Sequence, residues 1–160
     1  MHGRKTTALL DIQYHKTGMG NIIVKELSVM RADSWRYHHF VFSSPISLEL
    51  MDLWQAKFVQ KHINGIDYNM VGLPYHCLVQ VLESIERNRS VQVVLIKGLE
   101  KFQFIRKYLS KAVLLPDEPS YGKMKTYRHN CTIHSPAFTC CALHHVIQLF
   151  MYLEKQDYFL

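Results

Sequence analysis

The hydrophobic period changes between residues 44 and 50, and this constrains the chain more than any other feature. Before that point apolar residues run together or alternate, as strands require; after it they recur at helical spacing. TALLDIQYH (7–15), NIIVKELSVM (21–30) and RYHHFVFSS (36–44) read as three strands. KTGMGN and RADSW link them, and Ser44-Pro45 closes the third. Links this short argue for an antiparallel hairpin series. ISLELMDLWQAKFVQKH then sets Leu50, Leu53, Trp54 and Phe58, with Met51, on one helical face. Residues His62–Gly72 read as a loop containing Asn64-Gly65.

A second helix is expected from Pro74 to about Asn88, burying Cys77, Leu78, Val81, Leu82 and Ile85. VQVVLIKG (91–98) is apolar without alternation, the pattern of a strand buried on both faces. Residues 99–111 read as a helix with Phe102, Ile105 and Leu109 inward, and AVLLP (112–116) as a short strand ended by Pro116 and Pro119. Thr139 can cap a last helix whose core face is Leu143, Val146, Ile147, Phe150 and Leu153. The order β-β-β-α-α-β-α-β-α predicts an α/β architecture: three antiparallel strands, then parallel crossover strands, in a mixed sheet flanked by helices. One domain is expected over residues 1–160, since the chain contains 48% hydrophobic residues and no repeat or low-complexity segment. That apolar fraction excludes a mainly disordered or collagen-like protein.

No apolar run reaches the roughly eighteen residues that a spanning helix needs, so no membrane partner is expected. The first residues hold too short an apolar run before Asp11 for a signal peptide. An intracellular protein with reduced thiols is expected, in cytoplasm or nucleus, with the four cysteines serving other roles than disulfides.

LLDIQ at 9–13 places Asp11 in a strand, followed two residues later by Gln13. VVLIKGLEKFQFI at 93–105 passes from strand through a turn to a helix bearing Glu100, and CCALHHV at 140–146 lies on the last helix. This order and these segments resemble the ribonuclease-H-like fold, specifically the DnaQ-type (DEDD) 3′–5′ exonuclease superfamily. The resemblance spans nearly the whole chain as topology. It implies four carboxylates that hold two divalent metals to activate water and stabilise the leaving oxygen. The chain departs from that pattern. Gln13 stands where Glu is expected, and Glu100 between Lys97 and Lys101 is the nearest acid in the second motif. Cys140 takes the place of the terminal His, and His145 that of the terminal Asp. A neutral amide cannot offset Mg²⁺ charge and imidazole suits that cation poorly, so the relic positions Asp11, Gln13, Glu100, Cys140 and His145 imply a dead exonuclease centre. The Maelstrom domain offers a precedent, though not a clear match: this type of fold without the exonuclease acids, carrying a Glu/His/Cys cluster.

Cys131-x₂-His134-x₅-Cys140-Cys141-x₂-His144-His145 is the strongest local chemical signal. Zinc takes four N or S donors in a tetrahedron, so four of these six residues are expected to hold a structural zinc ion. Cys131 and His134 would form a loop knuckle, joined by Cys140 with His144 or Cys141 with His145 at i,i+4. Centred on Leu143, the core face puts Cys140 and His144 at its edge and Cys141 and His145 outward. Such an ion would clamp residues 117–139 onto the last helix. Cys131 with His134 as nucleophile and base lacks a third partner, and Cys77 reads as core.

Residues 97–129 hold eight Lys and Arg against three acids, so most of the net +6 charge is local. Lys97, Lys101, Lys107, Lys111, Lys123, Lys125 and Arg128, with Tyr121 among them, are the candidate nucleic-acid contacts. The dense aromatic stretch Trp35–Phe40 could serve a protein partner or a homodimer. The functional expectation is therefore a non-catalytic exonuclease-like module for nucleic-acid (RNA or DNA) binding, protein interaction, or both, possible in RNA processing or silencing. A residual metal-dependent exonuclease and a purely protein–protein scaffold are the alternatives.

Overall fold

The computed structural model describes residues 7–47, 51, 53–125, 134 and 141–159. Five strands form one sheet: β1 (Thr7–Lys16), β2 (Ile22–Arg31), β3 (Tyr37–Val41), β4 (Val93–Lys97) and β5 (Ala112–Leu115). Their order is β3-β2-β1-β4-β5, antiparallel across β1–β2–β3 and parallel across β1–β4–β5. Among the described residues four α-helices accompany them: α1 (Leu53–Phe58), α2 (Cys77–Arg87), α3 (Leu99–Ile105) and α4 (Ala142–Lys155). This mixed α/β topology is of the general ribonuclease-H-like type. No helix among the described residues is long and apolar enough to cross a membrane.

Side chains alternate across the sheet and so supply two cores. Leu10, Ile12, Leu27, Val94 and Ile96 pack against α2 and the α3 region, where Leu78, Leu82, Ile105 and Leu109 are buried. Leu9, Met30 and Leu95 face α4, which contributes Val146, Leu149, Phe150 and Leu153. All five strand positions of β4 are buried, as its unbroken apolar run requires.

On the α4 face the cover changes character along the strands. Towards the N-terminal end of β1 it is hydrocarbon; beyond Leu9 the same face carries Asp11 and Gln13, opposite Ser28 and Glu26 on β2. All four are buried. Register then slips: Gln13 pairs with Glu26 but Tyr14 with Val24, so Lys25 is an extra residue on β2. Such a bulge re-aims side chains. Here the re-aimed residue is Lys25, which is buried and donates to Ser44 Oγ and to the Met70 carbonyl, both at 3.0 Å, while Glu26 keeps the α4 face by regular alternation with Ser28 and Met30. Burial pushes the Lys25 ammonium down to about 8.

Three sequence expectations change. The third helix ends at Ile105, because the chain must turn back through residues 106–111 to pair Ala112 with Val94; Leu109 is buried all the same. In α1 Trp54 and Phe58, expected inward, are 75% and 41% exposed. This helix has only six residues before it passes into a π-helical turn over Val59–Asn64, so its face is not held to one stripe. Cys141 and His145, expected outward on the last helix, are buried against the sheet. Of α4, nine residues are buried, more than one stripe of a helix lying on the surface. Thr139, expected to cap α4, and Leu50 lie outside the described residues.

Candidate functional site

Asp11 sits in the middle of β1, 1% exposed, at the centre of the polar end of the sheet. Gly98 closes β4 with φ 104°, a backbone open to glycine but strained for other residues. The turn starts α3 so that Lys101, one turn in, reaches back across the sheet. Lys101 Nζ donates to Asp11 Oδ1 at 2.7 Å, and His145 Nδ1 from α4 lies 2.9 Å from Oδ2. Gln13 Nε2 donates to Oδ2 at 3.3 Å. Burial would raise the Asp11 carboxyl, but Lys101 and His145 outweigh it and hold it below the usual carboxylate range.

The relic positions Asp11, Gln13 and His145 thus meet in space, whereas Glu100 turns away. It is exposed, accepts from the Tyr14 hydroxyl, and pairs with Lys16 at 2.5 Å. Cys140 lies outside the described residues. An ammonium and an amide occupy the surroundings of Asp11 where a two-metal centre would need further carboxylates. Tyr121 stacks flat on His145, with centroids 3.8 Å apart and planes 4° apart. Its hydroxyl is buried without a hydrogen-bond partner among the described residues, and burial drives the phenol well up.

A groove of about 640 Å³ opens beside this cluster. One wall is polar, formed by Gln13, Lys101 and His145. The other is α1 and its π-helical extension, where Trp54 and Phe58 stack on one another at 5.5 Å.

A second cluster lies one strand over. Glu26 is fully buried and accepts four donors or near-donors. His134 Nε2 lies 3.0 and 3.2 Å from its two oxygens, and His39 Nε2 of β3 lies 2.5 Å from Oε2. Cys141 Sγ is 3.5 Å from Oε2, and the Ala142 N–H at the start of α4 donates to Oε1 at 2.8 Å. Burial pushes the Glu26 carboxyl up, but the hydrogen bonds from His134 and His39 carry it down to about 2.

The Glu26, His134 and Cys141 donor atoms all lie within 4.8 Å of one another, a triad that could hold a metal ion. The donor chemistry fits a borderline cation. His134 Nδ1 is bonded to the carbonyl of Asn64, the outer bond by which metal-bound imidazoles are oriented. With Nδ1–H donating, Nε2 points its lone pair at a carboxylate. Either a second proton or a cation must lie between them. The edges of a tetrahedron of donors about zinc measure about 3.3–3.8 Å, near the separations found.

Of the six expected metal ligands, the structure brings His134 and Cys141 together. His145 belongs to the Asp11 cluster, His144 is half-buried outside the triad, and Cys131 and Cys140 lie outside the described residues. Glu26 was missed by reading the sequence. Its only signal was an acid at mid-strand in NIIVKELSVM, next to Lys25, which reads as an exposed position.

The candidate nucleic-acid contacts separate by burial. Lys97 is buried and donates to the carbonyls of Pro116, at 3.0 Å, and Asp117. Lys101 is spent on Asp11, and Lys111 holds the carbonyls of Ile85 and Asn88 at the end of α2. Lys107, Lys123 and Lys125 are exposed; Arg128 lies outside the described residues. In the aromatic stretch Trp35 and Tyr37 are exposed, while His39 and Phe40 are half-buried. No protein family, curated protein or solved structure compared with the chain matches it.

Proposed function

We propose that this chain is a degenerate DnaQ-type (DEDD) exonuclease-like module that binds single-stranded RNA without metal-dependent cleavage. The observation that carries the reading is the Lys101 ammonium, 2.7 Å from Asp11, inside the polar cluster where metal would be needed. A divalent ion there would meet a fixed positive charge, an amide and an imidazole. Trp54 and Phe58 beside that cluster offer a flat aromatic surface for an unpaired base, a contact worth about 1–3 kcal/mol per base. Lys107, Lys123, Lys125 and Arg128 would add the sequence-independent attraction to phosphate.

Glu26, His134 and Cys141 would hold a structural zinc ion, with Cys131, three residues before His134, as the fourth donor. Zinc supplies folding energy in such a site, tying β2 to the start of α4. The Maelstrom domain is a precedent, not a match, for a fold of this type that carries a Glu/His/Cys cluster in place of exonuclease acids.

The test is fluorescence anisotropy on labelled single-stranded RNA and DNA, with the same oligonucleotides followed on gels in Mg²⁺ and in Mn²⁺. The reading predicts salt-dependent binding, intact oligonucleotide, and affinity about tenfold lower or more in Trp54→Ala. Degradation that Asp11→Asn abolishes would establish the exonuclease alternative instead. Absence of binding at about 50 mM salt would leave the protein-scaffold alternative.

A further inference from the structure

At the far end of α4, away from both clusters, a cavity of about 620 Å³ lies between the helix and the β2–β3 turn. From His145 to Tyr152 the helix advances seven residues, about 10 Å. The volume falls within the range of small-molecule sites. Trp35 forms one side, Tyr152 and Met151 the helix side, and Lys123, Lys125 and Lys155 are on its lining. The only acid among the described lining residues is Glu154. Lys123 shares a surface ion pair with Glu118 at 3.2 Å, whereas Lys125 and Lys155 pair with no acid among the described residues.

Trp35 reaches this position at a conformational cost. Its φ is 61°, left-handed backbone that a bulky side chain rarely adopts. The turn leaves it little choice. Arg31 N donates to the Arg36 carbonyl at 2.8 Å and Trp35 N to the Arg31 carbonyl at 3.1 Å. The Arg31 side chain clamps Asp33 with two hydrogen bonds of 2.9 and 3.0 Å and reaches Ser90 at 2.6 Å. A glycine would meet the same geometry without strain. Instead the turn carries the largest side chain there is, standing edge-on to Phe150 at 4.4 Å yet 50% exposed. Strain held in place by its surroundings is a pointer to a binding role.

An exposed indole beside three ammonium groups matches a ligand with a flat aromatic face and a phosphate. We propose that this cavity is a nucleotide-binding site, taking a nucleoside monophosphate or the phosphate-bearing end of a strand. The base stacks on Trp35 and the phosphate is held by Lys125 and Lys155, with Lys123 alongside. The site is separate from the groove at Trp54, although Lys123 and Lys125 are common to its phosphate contacts and to those proposed for a longer strand.

Titration with adenosine 5′-monophosphate tests it, followed through the indole N–H signals of the two tryptophans in ¹H–¹⁵N spectra. Trp35→Gly assigns the Trp35 signal and, being unstrained at that φ, retains a folded spectrum. The expected result is a saturable shift at Trp35, with affinity reduced about tenfold or more in the double variant Lys125→Glu, Lys155→Glu. Adenosine and inorganic phosphate each bind about tenfold more weakly than the nucleotide. Four results would overturn the proposal: no shift at Trp35 at millimolar nucleotide, unchanged affinity in the charge-reversed variant, inorganic phosphate binding as well as the nucleotide, or a phosphotyrosine peptide binding better. Trp54→Ala weakens strand binding in the groove and leaves the Trp35 titration unchanged, so the two sites fail separately.

Discussion

Lys101 and Asp11 are ninety residues apart in the sequence and 2.7 Å apart in the fold. Each carries a charge that water has largely left, so each depends on the other. Replacing Lys101 by Met strands a buried carboxylate, and a loss of about 3–5 kcal/mol is expected in urea unfolding. The double variant Asp11→Asn, Lys101→Met recovers much of that loss, because both charges go together. Glu26 sets the acid limit. Its folded pKa of about 2 lies below the ordinary 4.5, so the stability it contributes is complete above about pH 4.5 and is lost as pH falls towards 2. Thermal unfolding of metal-free protein across that window measures it; Glu26→Gln flattens the slope. Asp11 and Gln13 were legible from the strand and their spacing, and His134 and Cys141 from residue type. The Lys101 role was not, since a lysine beside other lysines looks like solvated surface until a long-range contact claims it. Glu26 was hidden for a related reason: a glutamate next to Lys25 looks like solvated strand surface until His134 and the start of α4 claim it.

The elements carry a division of labour along α4. Its first turn lies over the Glu26 and Asp11 clusters, its middle packs in hydrocarbon, and its last turns border the Trp35 cavity. The Ala142 N–H has the Glu26 carboxylate as its partner in place of a neighbouring cap. If zinc is held there, chelation loosens the start of α4 before the rest. Hydrogen exchange is then expected to rise first at residues 142–146 on chelator treatment, with β4 unchanged. Cys141→Ser reproduces that pattern and lowers metal content below one equivalent by elemental analysis. The antiparallel start and the mixed sheet were readable because two short links force hairpins and the later strands alternate with helices. The inward face of α1 was not readable. Six residues give fewer than two turns, and apolar spacing over so short a span cannot tell a buried stripe from an aromatic platform.

For the whole molecule, the basic surplus proved to be of two kinds. Lys97, Lys101 and Lys111 satisfy the interior and helix ends, while Lys107, Lys123 and Lys125 face outward. The salt dependence of RNA binding is therefore expected to report fewer phosphate contacts than the count of lysines in 97–129, and Lys123→Glu, Lys125→Glu lowers the slope of log affinity against log salt by about 1.4. On the proposed reading, the polar end of this sheet carries an internal cation and a separate metal clamp where a two-metal catalytic centre would stand. A crystal of zinc-loaded protein soaked in Mn²⁺, with anomalous difference maps at the two metal edges, tests it most directly. One zinc peak is expected among Glu26, His134 and Cys141, and no manganese at Asp11. Manganese bound to the Asp11 carboxylate, with Lys101 displaced, or an absence of zinc at the triad, would contradict it.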